Sequence, residues 1–451
     1  MAESTLQRKL GLFPATNIVI ANMIGAGIFT TSGLLMASLN SPVLMLTLWL
    51  AGGLIALCGA MSYGELGAAM PGAGGEYLFL SRLYHPVFGF LSGWVSFIVG
   101  FSAPIAASAL GFSEYFVRAV PGFSALLNDA GILQPDGVKT LLAVSIIIVF
   151  TLLHYTGIKS GALVQNILTI LKVALILVLL FAGFFSGNGD LKNFTEGSGV
   201  AQGLSGWKTI GLSLMWIMFA YSGWNASTYL GAEIRNPLKT LPGSLILGTG
   251  IVIVIYTGIN VLYVYSTEPA EMKGIISVGG LAMGNLFGPS ADTLFSLLIG
   301  FALFSSLSAF IIIGPRVYYQ MASDGLFFKS VARIHPKFGV PSNSIMLQGL
   351  IAVILALSGT FEQVLTYMGF ALGIFPILTV AGVFRQRRNN PASFRLPGFP
   401  FVQVIYIAAG IMILVLSFLE RPAESSVALL TVIVGVPAYF IFRRKNGRKE
   451  V

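Results

Sequence analysis

Long apolar stretches separated by short polar punctuation dominate the chain. Twelve can be drawn, roughly Pro14–Ala37, Pro42–Met70, Val87–Phe116, Val138–His154, Ala162–Phe185, Thr209–Leu230, Ser244–Tyr263, Asp292–Tyr319, Ser344–Ser358, Phe361–Phe384, Val402–Phe418 and Ser426–Phe442. They run near about 20 residues without strict alternation of apolar and polar positions, so each reads as a membrane-crossing helix and not as a barrel strand. Between the second and third, Pro71–Pro86 sets Tyr77, Phe79 and Tyr84 among glycines and is expected to form an ordered amphipathic element. Glu268–Gly288 has the same mixed character. Met1–Phe13 is polar and basic, and no A-x-A-like site ends the first stretch, so it reads as a retained segment and not a signal peptide. No low-complexity linker or soluble domain interrupts the pattern, which predicts one membrane unit over residues 1–451.

Composition sharpens this reading. Of 451 residues 55% are hydrophobic and 10% charged, with mean hydropathy +0.85; a soluble domain carries roughly 25% charged residues. A single cysteine, Cys58, excludes an internal disulfide and a thiolate metal site, and His85, His154 and His335 form no ligand pair. No metal or cofactor is expected. The net charge of +9 is scattered through short loops, which reports orientation and not nucleic acid. Counted on alternate sides, 19 Lys and Arg fall with the N-terminus, among them Lys9, Lys159, Lys337, Arg448 and Lys449, against 6 on the other side. That asymmetry predicts both termini in the cytoplasm.

Two spans carry helix-weakening residues in their interiors. The first reads Asn17 to Phe29 with Ile24, Gly25, Ala26, Gly27 and Ile28 at its centre, and Gly25 lies about 16 Å from Pro14 by helical rise. The sixth carries Phe219, Ala220, Tyr221, Ser222, Gly223, Trp224 and Asn225. Glycine weakens a helix by about 1 kcal/mol relative to alanine. One interior Gly-x-Gly is ordinarily a close-packing feature. Breaks in spans one and six, however, open two consecutive blocks of five spans, and interruptions at corresponding places point to a carrier with inverted repeats. The half-helix after Gly27 offers free N–H groups and a positive dipole end to a carboxylate. Unwound carbonyls near Phe219–Ser222 suit an ammonium. Span interiors are almost bare of acids, with Glu65 and Glu114 toward span ends, so the simplest ligand is an amino acid zwitterion.

Lys172 lies about ten residues into the fifth span, roughly 15 Å deep. A charge there costs at least ~2.5–3.5 kcal/mol. Either it is a structural lysine bonded to backbone carbonyls, or it caps carbonyls of the broken first span and couples transport through its proton. Beside the second break, Tyr221, Trp224 and Asn225 serve as packing or as pocket wall and gate. At the end of the eighth span, Arg316 and Asp324 are placed to pair. Gly72-Ala-Gly-Gly75 follows an apolar span and reads as a turn.

Gly25-Ala-Gly-Ile-Phe29, Phe219-Ala-Tyr-Ser-Gly-Trp-Asn225, Gly231-Ala-Glu-Ile-Arg-Asn-Pro237 and Arg316…Met321-Ala-Ser-Asp-Gly325, in that order, resemble the amino acid–polyamine–organocation (APC) transporters, most of all the L-type amino acid transporter branch and its bacterial relatives. The resemblance implies an all-α, LeuT-like fold of twelve transmembrane helices. Residues 14–185 and 209–384 would be inverted five-helix repeats, 402–442 two further helices, and helices one and six would unwind at mid-membrane. It implies that substrate carboxylate meets the first Gly-x-Gly, that sixth-span carbonyls take the amino group, that Phe219 gates the site, that Asn225 lines it, and that Lys172 stands near a vacated sodium site. Many members carry Ser where this chain has Ala26. Animal members join a glycoprotein through a cysteine between spans three and four; Val117–Gly137 has none, so no disulfide-linked heavy chain is expected and a bacterial inner membrane fits.

The expected activity is sodium-independent transport of small to medium neutral L-amino acids across the cell membrane by exchange, with proton symport as the alternative. A cationic amino acid or polyamine carrier should need an acid near the pocket, and the sequence reveals none. A membrane-embedded transferase lacks an intramembrane His/Asp/Glu cluster, so the chain is not expected to be an enzyme. A channel or receptor would not need the paired breaks.

Overall fold

The computed structural model describes all residues except 1–7, 9, 73, 124, 126–134, 157–160, 198, 201, 337, 339, 360, 392–393 and 448–451. Lys9, Lys159, Lys337, Arg448 and Lys449 of the charge count, and part of the cysteine-free loop, therefore lie outside the described residues. In chain order the helices are α1 (Leu12–Met23), α2 (Ala26–Leu39), α3 (Pro42–Ala69), α4 (Glu76–Leu83), α5 (Pro86–Val95), α6 (Ser102–Ala119), α7 (Pro135–Tyr155), α8 (Gly161–Phe185) and α9 (Leu204–Ala220). They continue as α10 (Pro237–Ser266), α11 (Pro269–Met272), α12 (Val278–Phe287), α13 (Pro289–Ser323), α14 (Ser342–Ser358), α15 (Phe361–Asn389), α16 (Phe401–Glu420) and α17 (Pro422–Gly447).

Local chemistry sets the helix ends. Ser41 accepts the Leu44 N–H at 3.3 Å with Pro42 at the first helical position of α3, and the His85 ring accepts the Val87 N–H at 3.2 Å before Pro86 opens α5. Both pair a side-chain cap with a proline whose missing N–H costs nothing there. Between α5 and α6 the chain makes one π-helical turn, Ser96–Gly100, a local widening of the kind found at functional sites.

Among the described residues nine helical segments are long and apolar enough to cross a membrane. Twelve such helices were expected from the sequence. The fifth stretch qualifies only as the shorter Thr169–Phe185, the ninth is the 17-residue α14, and the sixth leaves the helix after Ala220. The Pro71–Pro86 segment folds as α4, and Glu268–Gly288 as α11 and α12. Large apolar side chains such as Ile170, Phe181, Val254, Leu357, Ile433 and Phe440 stand on the exterior, a surface suited to hydrocarbon and not to water.

α10 packs along α1 and α3, α13 along α6, and α9 between α2 and α16. At one end of the bundle Arg118 grips Asp292 through two bonds of 2.7 and 2.6 Å. There the Tyr115 hydroxyl donates to the Phe29 carbonyl at 2.6 Å, and the Gly274 N–H donates to the Gly33 carbonyl at 2.9 Å, so α2, α6, α13 and the α11–α12 cap are tied together. At the other end Leu10 and Ile234 form an isolated parallel bridge, in which the Leu10 N–H donates to Glu233 at 2.9 Å and the Arg235 N–H to Leu10 at 2.8 Å. Buried Glu65 takes two bonds from Arg387, at 2.6 and 2.7 Å. Arg316 and Asp324 do not pair. Arg316 turns back onto the Ile312 carbonyl, while Asp324 accepts from the Tyr77 hydroxyl at 2.7 Å, because α4 lies against the end of α13.

Candidate functional site

The first interruption lies between α1 and α2. The Ile24 N–H still donates to Ile20, but Gly25 is extended (φ −128°, ψ −156°), and the helix restarts at Ala26. A helix end leaves carbonyls without partners, and here side chains supply them. Lys172, 1% exposed, donates to the carbonyls of Ala21 at 3.2 Å and Ile24 at 2.5 Å and to the Ser306 hydroxyl at 3.1 Å. Ser306 in turn donates to the Ile24 carbonyl at 2.9 Å. The ammonium thus sits on the negative end of the α1 dipole.

The second interruption follows α9. The Tyr221 N–H reaches Ile217 and the Ser222 N–H reaches Phe219 at 2.8 Å, after which Gly223 takes φ +97° and a 3-10 turn runs over Ala226–Tyr229. A side chain at that φ is strained. Space excludes one too, since a Cβ on Gly223 would lie 2.9 Å from the Asn22 backbone. A Cβ on Gly27 would lie 2.5 Å from the Ala220 Cα. The two interruptions therefore cross in backbone contact. Between them stands Tyr256 of α10, whose hydroxyl lies 2.5 Å from the Met23 carbonyl and 3.0 Å from that of Ala220. With one proton, it donates to one of them at a time.

A cavity of about 900 Å³, its mouth included, adjoins the second interruption. Phe219, Ser222, Gly223, Trp224 and Asn225 line it, as does Asn22 from α1. Ile24, Gly25, Ala26, Gly27, Ile28, Ala220 and Tyr221 are not in its wall. Ile24 and Gly25 lie against Lys172 and Ser306, Gly27 against Ala220 and Ala220 against Tyr256, while Ala26 and Ile28 are buried in the core; Tyr221 donates to the Trp49 carbonyl at 3.1 Å with its ring on Trp49 and Tyr256. Ser96 and Gly100 of the π turn also face the cavity, with Tyr229 and Tyr406. A second cavity, of about 1500 Å³, is lined by His154, Glu233, Arg316 and Gln320 and shares Tyr229 with the first.

One wall residue corrects the sequence reading, which found no acid near the pocket. Glu76 opens α4, and the turn at Gly74 and Gly75 (φ +101° and +50°), tied by the Gly74 N–H to the Tyr229 carbonyl, folds it back onto the cavity. It is 7% exposed and accepts bonds from the hydroxyls of Tyr63 and Ser92, the latter at 3.1 Å. Burial pushes its carboxyl up to about 7. Asn22, Glu76, Tyr229, Tyr256 and Tyr406 are the site residues that sequence reasoning missed. Among the described residues no group of His, Cys, Asp and Glu could hold a metal ion.

Apolar helices on a lipid-suited exterior, with two interruptions meeting beside an internal cavity, define a multi-pass helical membrane protein. The chain belongs to the amino acid permease family, whose pattern it matches over residues 10–437. It is 28% identical to the serine/threonine exchanger SteT of Bacillus subtilis over 99% of both chains. It is 27% identical to the mouse b(0,+)-type amino acid transporter 1 over 97% of this chain and 88% of the relative. To the human cystine/glutamate transporter it is 26% identical, over 97% and 85%.

Proposed function

We propose that the protein is a sodium-independent secondary carrier of small to medium neutral L-amino acids, working by exchange and alternating access. The observation that carries this is the crossing of two interrupted helices beside one cavity, with opposite backbone polarity on offer. The start of α2 presents N–H groups to a carboxylate, and the turn after Ala220 presents carbonyls to an ammonium. In this reading the Gly25–Gly27 amides meet the substrate when Gly27 and Ala220 part. Phe219 closes the pocket, and Asn225 and Trp224 shape it. Lys172, holding the end of α1, takes the place a sodium ion would otherwise fill and passes its proton during the cycle. The relatives named as exchangers and amino acid transporters support the substrate class. The same reading takes residues 14–185 and 209–384 as inverted repeats and 402–442 as appended helices, with twelve spans and both termini in the cytoplasm of a bacterial inner membrane.

Uptake of labelled serine, threonine and leucine into proteoliposomes, with internal amino acid, sodium and pH varied separately, tests it. Uptake should require unlabelled amino acid inside and ignore sodium, and Lys172→Ala should abolish most of it while the protein still elutes as a folded species. Uptake driven by a sodium gradient, or no stimulation by internal amino acid, refutes exchange.

A further inference from the structure

The second cavity has no task in the carrier reading. Its wall is mostly apolar, and the charged side chains in it are Glu233 and Arg316. They do not pair with each other, and among the described residues the ion pairs engage other groups. Arg316 gives one bond to the Ile312 carbonyl, at 3.0 Å; the rest of its guanidinium fork suits a carboxylate. Neighbouring polar groups are occupied, His154 with the Ser308 hydroxyl at 3.0 Å and Gln320 with Asp324 at 2.9 Å. The backbone fixes where both charges stand. Glu233 ends a 3-10 turn, its N–H donating to Leu230 at 2.8 Å and its carbonyl accepting from Leu10 at 2.9 Å. Pro315, just before Arg316 in α13, has no N–H to return to Ile311, so that wall residue keeps a carbonyl without its helical donor. Tyr229 and Ile313 face both cavities and form the wall they share.

We propose that the second cavity is a transit site for the carried amino acid, in which Glu233 receives the α-ammonium and Arg316 the α-carboxylate on the far side of Tyr229 and Ile313 from the first cavity. The inference rests on the amino acid carrier reading above and adds a second binding site to it. A molecule bearing both charges satisfies both side chains at once and brings no net charge into an apolar-walled space. A bare amine or a bare carboxylate satisfies one and leaves the other. The Ile311 carbonyl offers the ammonium a further acceptor. Glu233 is half-buried and Arg316 exposed, so water and salt screen the attraction; occupancy is weak and brief, as a site along a route requires. One stretch of chain serves both sites, since Ser222 and Asn225 line the first cavity and Leu230 and Glu233 the second.

The test is protection of a reporter thiol by serine in the purified full chain. With Cys58→Ala removing the native thiol, Gln320→Cys places a cysteine in the cavity wall, and Ile334→Cys is a second reporter in the same wall. Serine should slow maleimide labelling of both, whereas ethanolamine and lactate, each with one of the two charges, should protect at least about fivefold less well. Glu233→Gln and Arg316→Gln, made singly, should each raise the half-protecting serine concentration at least about fivefold, the loss expected for one screened charge-assisted bond. Protection should persist with Lys172→Ala, which disables transport in the reading above. Protection that vanishes with Lys172→Ala reports a change of shape and overturns the proposal. So does protection that ignores both charge substitutions, or that ethanolamine or lactate gives equally well. Serine exchange in proteoliposomes is read beside it. A chain that exchanges serine without protecting either thiol loses the transit site alone, and one that protects but carries no amino acid keeps the site and refutes the carrier reading.

Discussion

Substituting Gly27 by Ala probes the crossing of the two interruptions, and Gly25→Ala beside it is an internal control. A Cβ on Gly27 would stand 2.5 Å from both the Cα and the Cβ of Ala220. Carbon atoms rest about 3.5–4.0 Å apart, so the two segments must separate by roughly 1 Å. Overpacking of this kind costs about 1–3 kcal/mol, and the upper part of that range applies because the obstacle is backbone. Replacing glycine inside a helix returns up to about 1 kcal/mol. The net is about 2 kcal/mol, roughly a thirtyfold loss of the closed crossing. At Gly25 the new methyl meets the Ser306 Oγ at 3.6 Å and Cβ at 3.8 Å and the Met23 carbonyl oxygen at 3.9 Å, all at ordinary contact distance, and φ is −128°, so a change within about 0.5 kcal/mol is expected. Exchange rates in proteoliposomes and melting temperatures of the detergent-purified protein read both effects. Gly27→Ala should slow exchange at least tenfold and lower the melting temperature, with Gly25→Ala close to wild type in stability. Equal behaviour of the two, or a Gly27→Ala carrier within about twofold of wild type, refutes the reasoning.

Tyr256→Phe removes the hydroxyl that serves the carbonyls of Met23 and Ala220; about 1–2 kcal/mol of stability and most of the exchange rate should go with it, read in the same two assays. Arg387→Ala strands the carboxylate of Glu65, whose side chain is fully buried, and should cost about 3–5 kcal/mol; in thermal unfolding, the double variant with Glu65→Leu should melt above the single one. Glu76 predicts a pH dependence. The folded chain holds its proton up to about 7 against the ordinary 4.5 of a glutamate, so between those values the folded state binds more protons than the unfolded one. Stability must therefore fall as pH rises through that window, by an amount on the order of 3 kcal/mol. A melting temperature that drops between about pH 5 and about pH 8 in wild type, and drops less in Glu76→Gln, is the expected result; identical profiles count against it.

Parts of this were legible in the sequence because they are anomalies in an apolar background. A lone lysine deep in a span, and glycines where a continuous helix would be cheaper, stand out without any three-dimensional information. The all-helical class followed from the length of the apolar runs. What hid was whatever depends on chain segments far apart. Glu76 sits in a polar connection, where an acid is unremarked, and only the glycine turn before α4 carries it to the cavity. Tyr256 lies in an apolar span and reads as packing until the two helix ends are seen on either side of its hydroxyl. The π turn at Ser96–Gly100 has no composition signature. The pairing of Arg316 with Asp324 was a matter of proximity along the chain, and α4 took the aspartate first.

The short bridge between Leu10 and Ile234 has a mechanical consequence. It fastens the segment before α1 to the backbone that follows the 3-10 turns Ala226–Tyr229 and Gly231–Glu233, while Gly27 and Ala220 touch farther along. The two interrupted helices are thus pinned at separate heights, like two planks sharing a pair of dowels. Swinging one without its companion has to shear the two backbone hydrogen bonds at Leu10, whereas swinging both leaves them whole. Tying Leu10 and Ile234 together covalently would distinguish those modes of travel in a single measurement of turnover.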